Sequence, residues 1–504
     1  MNTSLVGRAA DTRAEPAPPP RFGIGVEGQR RADLGDGSFR NPVVGGDHPD
    51  PTVLKDGADY YLTFSSLQSC PGAVIWHSRD LVNWAPIAAA LTQPLGTVRA
   101  PHLVKHQGRY FIYLCAQRGG RLAIHVSHAD NMRGPWSDPV DLGLDGCTDP
   151  AHAVDEDGSR HLFVSGGRRI ALTDDGLATR GALVRAHAEA PRLLRRGEFF
   201  YSLGATASGD GPPGSHVVKV ARSPSLSGPW EACPFKLMDR TNGAADAWWT
   251  SGHANLVEGP AGDWWLVCHG HENGGRLGRQ TLLQPVEWTR DGWCRVKGDQ
   301  LDRPQRKPRR GAASPAGPAL SDDFSSGRLG LQWSFFDAAP GELLRVRHDG
   351  AGLLLAAKGR SLADCSPLTC VLGDRSYVAE LEFELIGAAQ GGLALFHDAR
   401  GFVGVGIGDG CMHTYSYGQE HRWMQQPVPG RHHRLRVTNH RHLVSFEHAI
   451  GDGPWVPSPW LKDVSALHQT VQDSFASLRL ALFAAGEGEV RLRRFIYLGP
   501  GRDT

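Results

Sequence analysis

The sequence predicts an all-β fold, a five-bladed β-propeller followed by a β-sandwich, and three observations predict it. Glycine (63), proline (34) and tryptophan (14) are abundant and apolar runs are short, the make-up of a turn-rich strand protein. A pattern of about fifty residues, the length of a four-stranded blade, recurs five times. Beyond residue 319 the strands alternate with period two, and neither part shows an amphipathic helix.

A chain of 504 residues is too long for one typical core, so two domains are expected. Residues 1–37 are rich in Ala, Pro, Arg and Gly (Pro16-Ala17-Pro18-Pro19-Pro20) and read as a disordered tail rather than a signal peptide. The repeat then fills residues 38–302. Its copies begin at Asp50-Pro51-Thr52, Ala100-Pro101-His102, Asp149-Pro150-Ala151, Glu189-Ala190-Pro191 and Gly252-His253-Ala254. Each runs through apolar residues and a polar turn into an aromatic strand such as Asp59-Tyr60-Tyr61 or Asp263-Trp264-Trp265. A second mark closes most units: Asn83-Trp84, Gly134-Pro135-Trp136, Gly228-Pro229-Trp230 and Glu287-Trp288. Residues 303–319 are rich in Pro, Gly and Arg and read as a linker. Residues 320–500 are the sandwich candidate: in Tyr377-Val378-Ala379-Glu380-Leu381-Glu382-Phe383 the odd positions are apolar and the even ones mostly acidic.

The net charge is +1, which argues against a nucleic-acid binder or a polybasic membrane-surface protein and suits a neutral substrate. Nine cysteines, an odd number, sit largely in apolar runs such as Tyr113-Leu114-Cys115. They read as buried thiols of a reducing compartment, so a cytoplasmic location is expected. No stretch approaches transmembrane length. A homo-oligomer is left open.

In a propeller the innermost strands line a central channel, and equivalent positions converge at its mouth. Proline disfavours α geometry before it, so Asp50 and Asp149 are expected to be extended at a strand start. Asp50, Asp149 and Glu189 then come from blades one, three and four. Blades three and four are neighbours, so ionised Asp149 should raise the pKa of Glu189 and keep it protonated as general acid. Asp50, alone across the channel, should stay ionised as the general base on a water. The cross-channel gap should be roughly 1.6-fold the adjacent one, which favours the ~6.5–9.5 Å spacing of inverting glycosidases. One Asp-Pro is more often a turn or cap dipeptide than a catalytic one. Three carboxylates in phase with one repeat point to a shared site.

These segments resemble glycoside hydrolase family 43. The resemblance starts at Asn41-Pro42-Val43 and Asp47-His48-Pro49-Asp50-Pro51 and runs on through Thr148-Asp149-Pro150 and Glu189-Ala190-Pro191. It continues in Gly252-His253-Ala254-Asn255-Leu256 and Leu277-Gly278-Arg279-Gln280-Thr281. Residues 320–500 look like the concanavalin-like β-sandwich appended to its β-xylosidase-type members. The resemblance implies Asp50 as base, Glu189 as acid, Asp149 as modulator of the acid's pKa, and Arg279 on sugar hydroxyls. It departs at Ala190, where the family commonly has Gly, and at Arg99, where Trp often precedes Ala-Pro near the pocket.

Further substrate-binding candidates are His253, Arg99, Trp249 and Phe475, the last an aromatic of the sandwich that would narrow the pocket and enforce exo cleavage. In some relatives the histidine matched by His253 sits near calcium or a water cluster. A possible Ca2+ role is therefore weighed against a packed, hydrogen-bonded imidazole. The run His269-Gly270-His271-Glu272-Asn273-Gly274-Gly275-Arg276 reads as a loop closing over the pocket. The expected activity is release of terminal pentose, β-D-xylosyl first and α-L-arabinofuranosyl next, as in xylan degradation, with no obligatory cofactor. The alternatives are another terminal sugar such as galactofuranose, or a non-catalytic sugar-binding propeller.

Overall fold

Blade one begins as a hairpin because Gly57, at φ 62°, turns the chain between Thr52–Asp56 and Asp59–Thr63. Blade two repeats the device with Gln107 and Gly108, at φ 48° and 85°, between Thr97–His106 and Arg109–Arg118. The computed structural model describes residues 31–186, 191–207, 216–237, 247–272, 277–298, 301–308, 319–472 and 474–499. Five four-stranded antiparallel sheets follow one another along the chain. Their innermost strands are Thr52–Asp56, Thr97–His106, Ala151–Val154, Pro191–Arg196 and Trp248–Glu258. This is a five-bladed propeller.

Polar side chains just below the channel mouth tie one blade to the next. Asn255 donates to the carbonyl of Pro51 (2.8 Å), and Arg192 donates to the carbonyls of Pro101 and Pro150 (3.1 Å each). Residues 41–48 close the ring by lying along Arg279–Trp288 of blade five: the N–H of Val43 donates to Thr281 O, and that of His48 to Arg279 O, both at 2.9 Å.

The ends of the propeller are more ordered than expected. Residues 31–37, read as tail, and 303–308, read as linker, pack together on blade one. Ser38–Phe39 pairs with Gln305–Arg306. Lys307, 8% exposed, forms ion pairs with Asp33 (2.5 Å) and Asp80 (3.1 Å). A lysine buried this deeply requires such partners, and they hold both segments down.

Beyond the linker, two long strands, Ser376–Phe396 and Arg479–Leu498, pair along most of their length. The first half of Ser376–Phe396 also pairs with His432–His440, and its last residues pair with Phe402–Gly408. One folded-over sheet therefore supplies both layers of the sandwich. Between them lie Trp333, Leu381, Phe383, Leu393, Leu435, Leu482 and Phe495. The sandwich is joined to the propeller by strand pairing, since Ser69–Cys70 of blade one extends its edge strand Trp333–Phe336. Among the described residues no disulfide joins the cysteines, and no helix is long and apolar enough to cross a membrane.

Candidate active site

The residue that enters the channel mouth has the same unusual backbone in the four blades where that residue is described. Asp50, Ala100, Asp149 and His253 take φ of 56°, 47°, 54° and 48°. This corrects the expectation of extended aspartates. Proline disfavours right-handed α geometry before it, but here the chain turns to positive φ. In blades two and five the turn is a break in register, between Arg99 and His102 and between Gly252 and Asn255. Such bulges re-aim side chains, and backbone of this kind costs about 1–3 kcal/mol where side chains must be placed for function.

Asp50 is 4% exposed and does not stand alone. Its Oδ2 accepts from Ser65 Oγ at 2.5 Å, and its Oδ1 accepts from Arg279 Nη1 at 3.2 Å. His253 Nε2 lies 3.3 Å from Asp50 Oδ1 and 3.9 Å from Asp149 Oδ1, so one imidazole nitrogen faces both carboxylates. Burial alone would raise the pKa of Asp50. His253, Arg279 and the Ser65 hydroxyl outweigh it and hold the carboxyl far below the usual range. The expectation that Asp50 stands alone across the channel is corrected: donors surround it.

The backbone N–H of Asp50 donates to His269 Nδ1 at 2.9 Å. Burial keeps His269 neutral, which leaves that nitrogen free to accept. His269 and its neighbours through Glu272 belong to strand Trp264–Glu272, not to a loop as the glycine pattern suggested. Residues 273–276 lie outside the described residues.

Asp149 is more open, with 30% of its side chain exposed. Glu189 lies outside the described residues, and so does the side chain of Trp249, whose backbone is in Trp248–Glu258. Arg279 donates through Nη2 to the carbonyl of Phe475 at 3.3 Å. The Phe475 ring sits under two guanidinium groups, 5.2 Å from Arg99 and 5.7 Å from Arg279, and is 54% exposed. A sandwich aromatic thus stands at the channel mouth between blades two and five.

Calcium takes oxygen ligands, whereas His253 offers a nitrogen and Asp50 Oδ1 already faces a guanidinium. Among the described residues no group of three or more His, Cys, Asp or Glu could hold a metal ion. Sequence reasoning missed Ser65, Arg192 and the role of His269. Arg192 was visible as the residue after the fourth-repeat proline, but its reach across two blades was not.

The channel mouth thus brings together two carboxylates, Asp50 and Asp149, with Arg99, Arg279 and the exposed Phe475 beside them, an arrangement able to meet the hydroxyls of a sugar. The model of glycosyl hydrolases family 43 matches residues 39–294, half of the chain, and the chain belongs to that family. It is 31% identical over 326 residues to a non-reducing end alpha-L-arabinofuranosidase of Bacteroides ovatus, covering 59% of this chain and 61% of that one. It is also 31% identical over 311 residues to a xylan 1,3-beta-xylosidase of a Vibrio species, covering 51% and 57%. The chain thus spans about three fifths of the length of these relatives. The fold matches a GH43 protein from Bacillus licheniformis with a TM-score of 0.79 at 23% identity, covering 92% of this chain and 100% of that one. A xylan beta-1,4-xylosidase from Bacillus halodurans matches with 0.78 at 23% identity, covering 91% and 99%.

Proposed function

We propose that this chain is an exo-acting, inverting glycoside hydrolase that releases terminal pentose, β-D-xylosyl first and α-L-arabinofuranosyl next, from xylan-type oligo- or polysaccharides. The observation that carries the reading is Asp50, a buried carboxylate held ionised at the mouth of the propeller channel. The names of the family relatives support the sugar.

Water is the nucleophile and no organic cofactor takes part. Donors cluster on Asp50 Oδ1, whereas Ser65 is the one partner of Oδ2 among the described residues. A carboxylate oxygen has two acceptor sites, so Oδ2 is the atom that orients the water and takes its proton. The low pKa keeps Asp50 ionised at neutral pH, at a cost in basicity. Glu189, by its place in the fourth repeat, protonates the leaving oxygen, and Asp149, from the preceding repeat, holds that proton by like-charge repulsion. Arg279 and His253 meet sugar hydroxyls, and Arg99 with Phe475 closes the pocket behind one terminal sugar.

The test is a panel of aryl β-D-xyloside, α-L-arabinofuranoside and galactofuranoside. Fastest turnover of the xyloside supports the reading. Turnover of the galactofuranoside alone changes the sugar, and turnover of none leaves a sugar-binding propeller.

A further inference from the structure

The cleft between propeller and sandwich ends in a cavity of about 130 Å³ behind blade one. Its lining is partly apolar (Trp76, Leu331, Trp333) and partly polar (Asp47, Ser66, Arg479). Asp47 is 4% exposed and Arg479 6%. Asp47 Oδ2, Ser66 Oγ and Arg479 Nε have no hydrogen-bond partner among the described residues, a rare condition for buried polar atoms. A carboxylate and a guanidinium thus face one small cavity from opposite sides of the domain boundary; burial pulls the Arg479 guanidinium below its usual range, and the charge of Asp47 works against that shift. A polar cavity of this size takes water, which can bridge charges too far apart to touch.

Asp47 faces the site as well. Its Oδ1 accepts the backbone N–H of Arg279 at 3.0 Å. The preceding residue is Gly278, at φ 77°, where a Cβ would lie 2.3 Å from that oxygen; the approach leaves no room for a side chain. The guanidinium of Arg279 then spans Asp50 Oδ1 and the Phe475 carbonyl. The sandwich therefore holds Arg279 directly through the Phe475 carbonyl, and its Arg479 shares a cavity with Asp47, which holds the Arg279 backbone. Arg479 is itself held by the Ser69 hydroxyl of blade one.

We propose that Arg479, the first residue of the last sandwich strand, is a positioning residue for hydrolysis: paired with Asp47 across the interdomain cavity, it fixes Arg279 and, through Arg279, the base Asp50. This rests on the reading of Asp50 as base. The charged and titratable groups around Asp50 are His253, His269, Arg279, Arg192 and Cys115, with Asp149 beyond His253. Those around Arg479 are Asp47, His48 and Cys370.

The experiment is the pH profile of kcat/KM on an aryl xyloside for the full chain, with thermal melting in parallel. Arg479→Gln loosens Arg279, so protonation of Asp50 becomes easier. The acidic limb should move up by about half a pH unit while the basic limb stays. Arg479→Lys should return the limb part way. The near-isosteric Asp47→Asn should give the same shift and decides the matter if Arg479→Gln folds poorly. An acidic limb unmoved in the variants that fold, whatever their melting temperatures, overturns the proposal. Asp50→Asn separates the two claims: if it keeps wild-type turnover the base reading fails, and if it is inactive while the limb stays put, only the role of Arg479 fails.

Discussion

Blades one and three enter the channel with the same Asp-Pro dipeptide and nearly the same backbone, φ 56° at Asp50 and 54° at Asp149. Their carboxylates nevertheless differ. The Asp50 side chain is 5% exposed and touched by Ser65, Arg279 and His253; that of Asp149 is 30% exposed and meets His253 only at 3.9 Å. Place in the repeat sets where the side chain points. Side chains brought in by blade five set its charge. Blade two gives the control: Ala100 has the same turn and no carboxylate, and its backbone N–H supports the base by donating to Ser65 Oγ at 2.8 Å.

The comparison can be broken by substitution. Asp50→Asn should lower kcat by about a thousandfold on activated and unactivated glycosides alike, as expected for loss of a general base. Glu189→Gln should do comparable harm only where the leaving group is poor, because an activated aryl group needs no proton. Equal losses on both substrates for both variants would undo the division of roles. Asp149→Asn should cost less, about a hundredfold. It removes a negative neighbour, so the acid gives up its proton at lower pH and the basic limb of kcat/KM moves toward acid pH.

Arg279→Gln sharpens the other side of the comparison. Asp50 loses a cation at 3.2 Å, its pKa rises, and the acidic limb should move up by about one unit with the basic limb in place. Phe475→Ala should have the smallest effect, raising KM by about two- to tenfold, equivalent to about 0.5–1.5 kcal/mol of ring contact. It should also relax the restriction to terminal sugars. An unchanged KM and chain-length profile would leave Phe475 as a support for the Arg279 side chain alone.

The propeller was legible because each blade repeats its marks at one period, and the sandwich because alternation survives in runs such as 377–385. The turn at Asp50 and Asp149 was not, since the rule about residues before proline removes one backbone region without choosing among the others. His269 was hidden because glycines downstream made its strand look like a loop. The packing of Asp33 on Lys307 joins residues 274 positions apart, and nothing in a proline-rich segment announces a partner at that distance. Phe475 could be guessed as an aromatic of the appended module, but its place between Arg99 and Arg279 depends on how the two domains dock.

The central claim is that Asp50 delivers water to the sugar from the face opposite the leaving group. Proton NMR of the first minutes of aryl β-D-xyloside hydrolysis tests it most directly. The account predicts that α-xylose appears first and the β anomer only later, by mutarotation. β-Xylose as the first product would mean retention through a covalent intermediate and would contradict the assignment of Asp50 as general base.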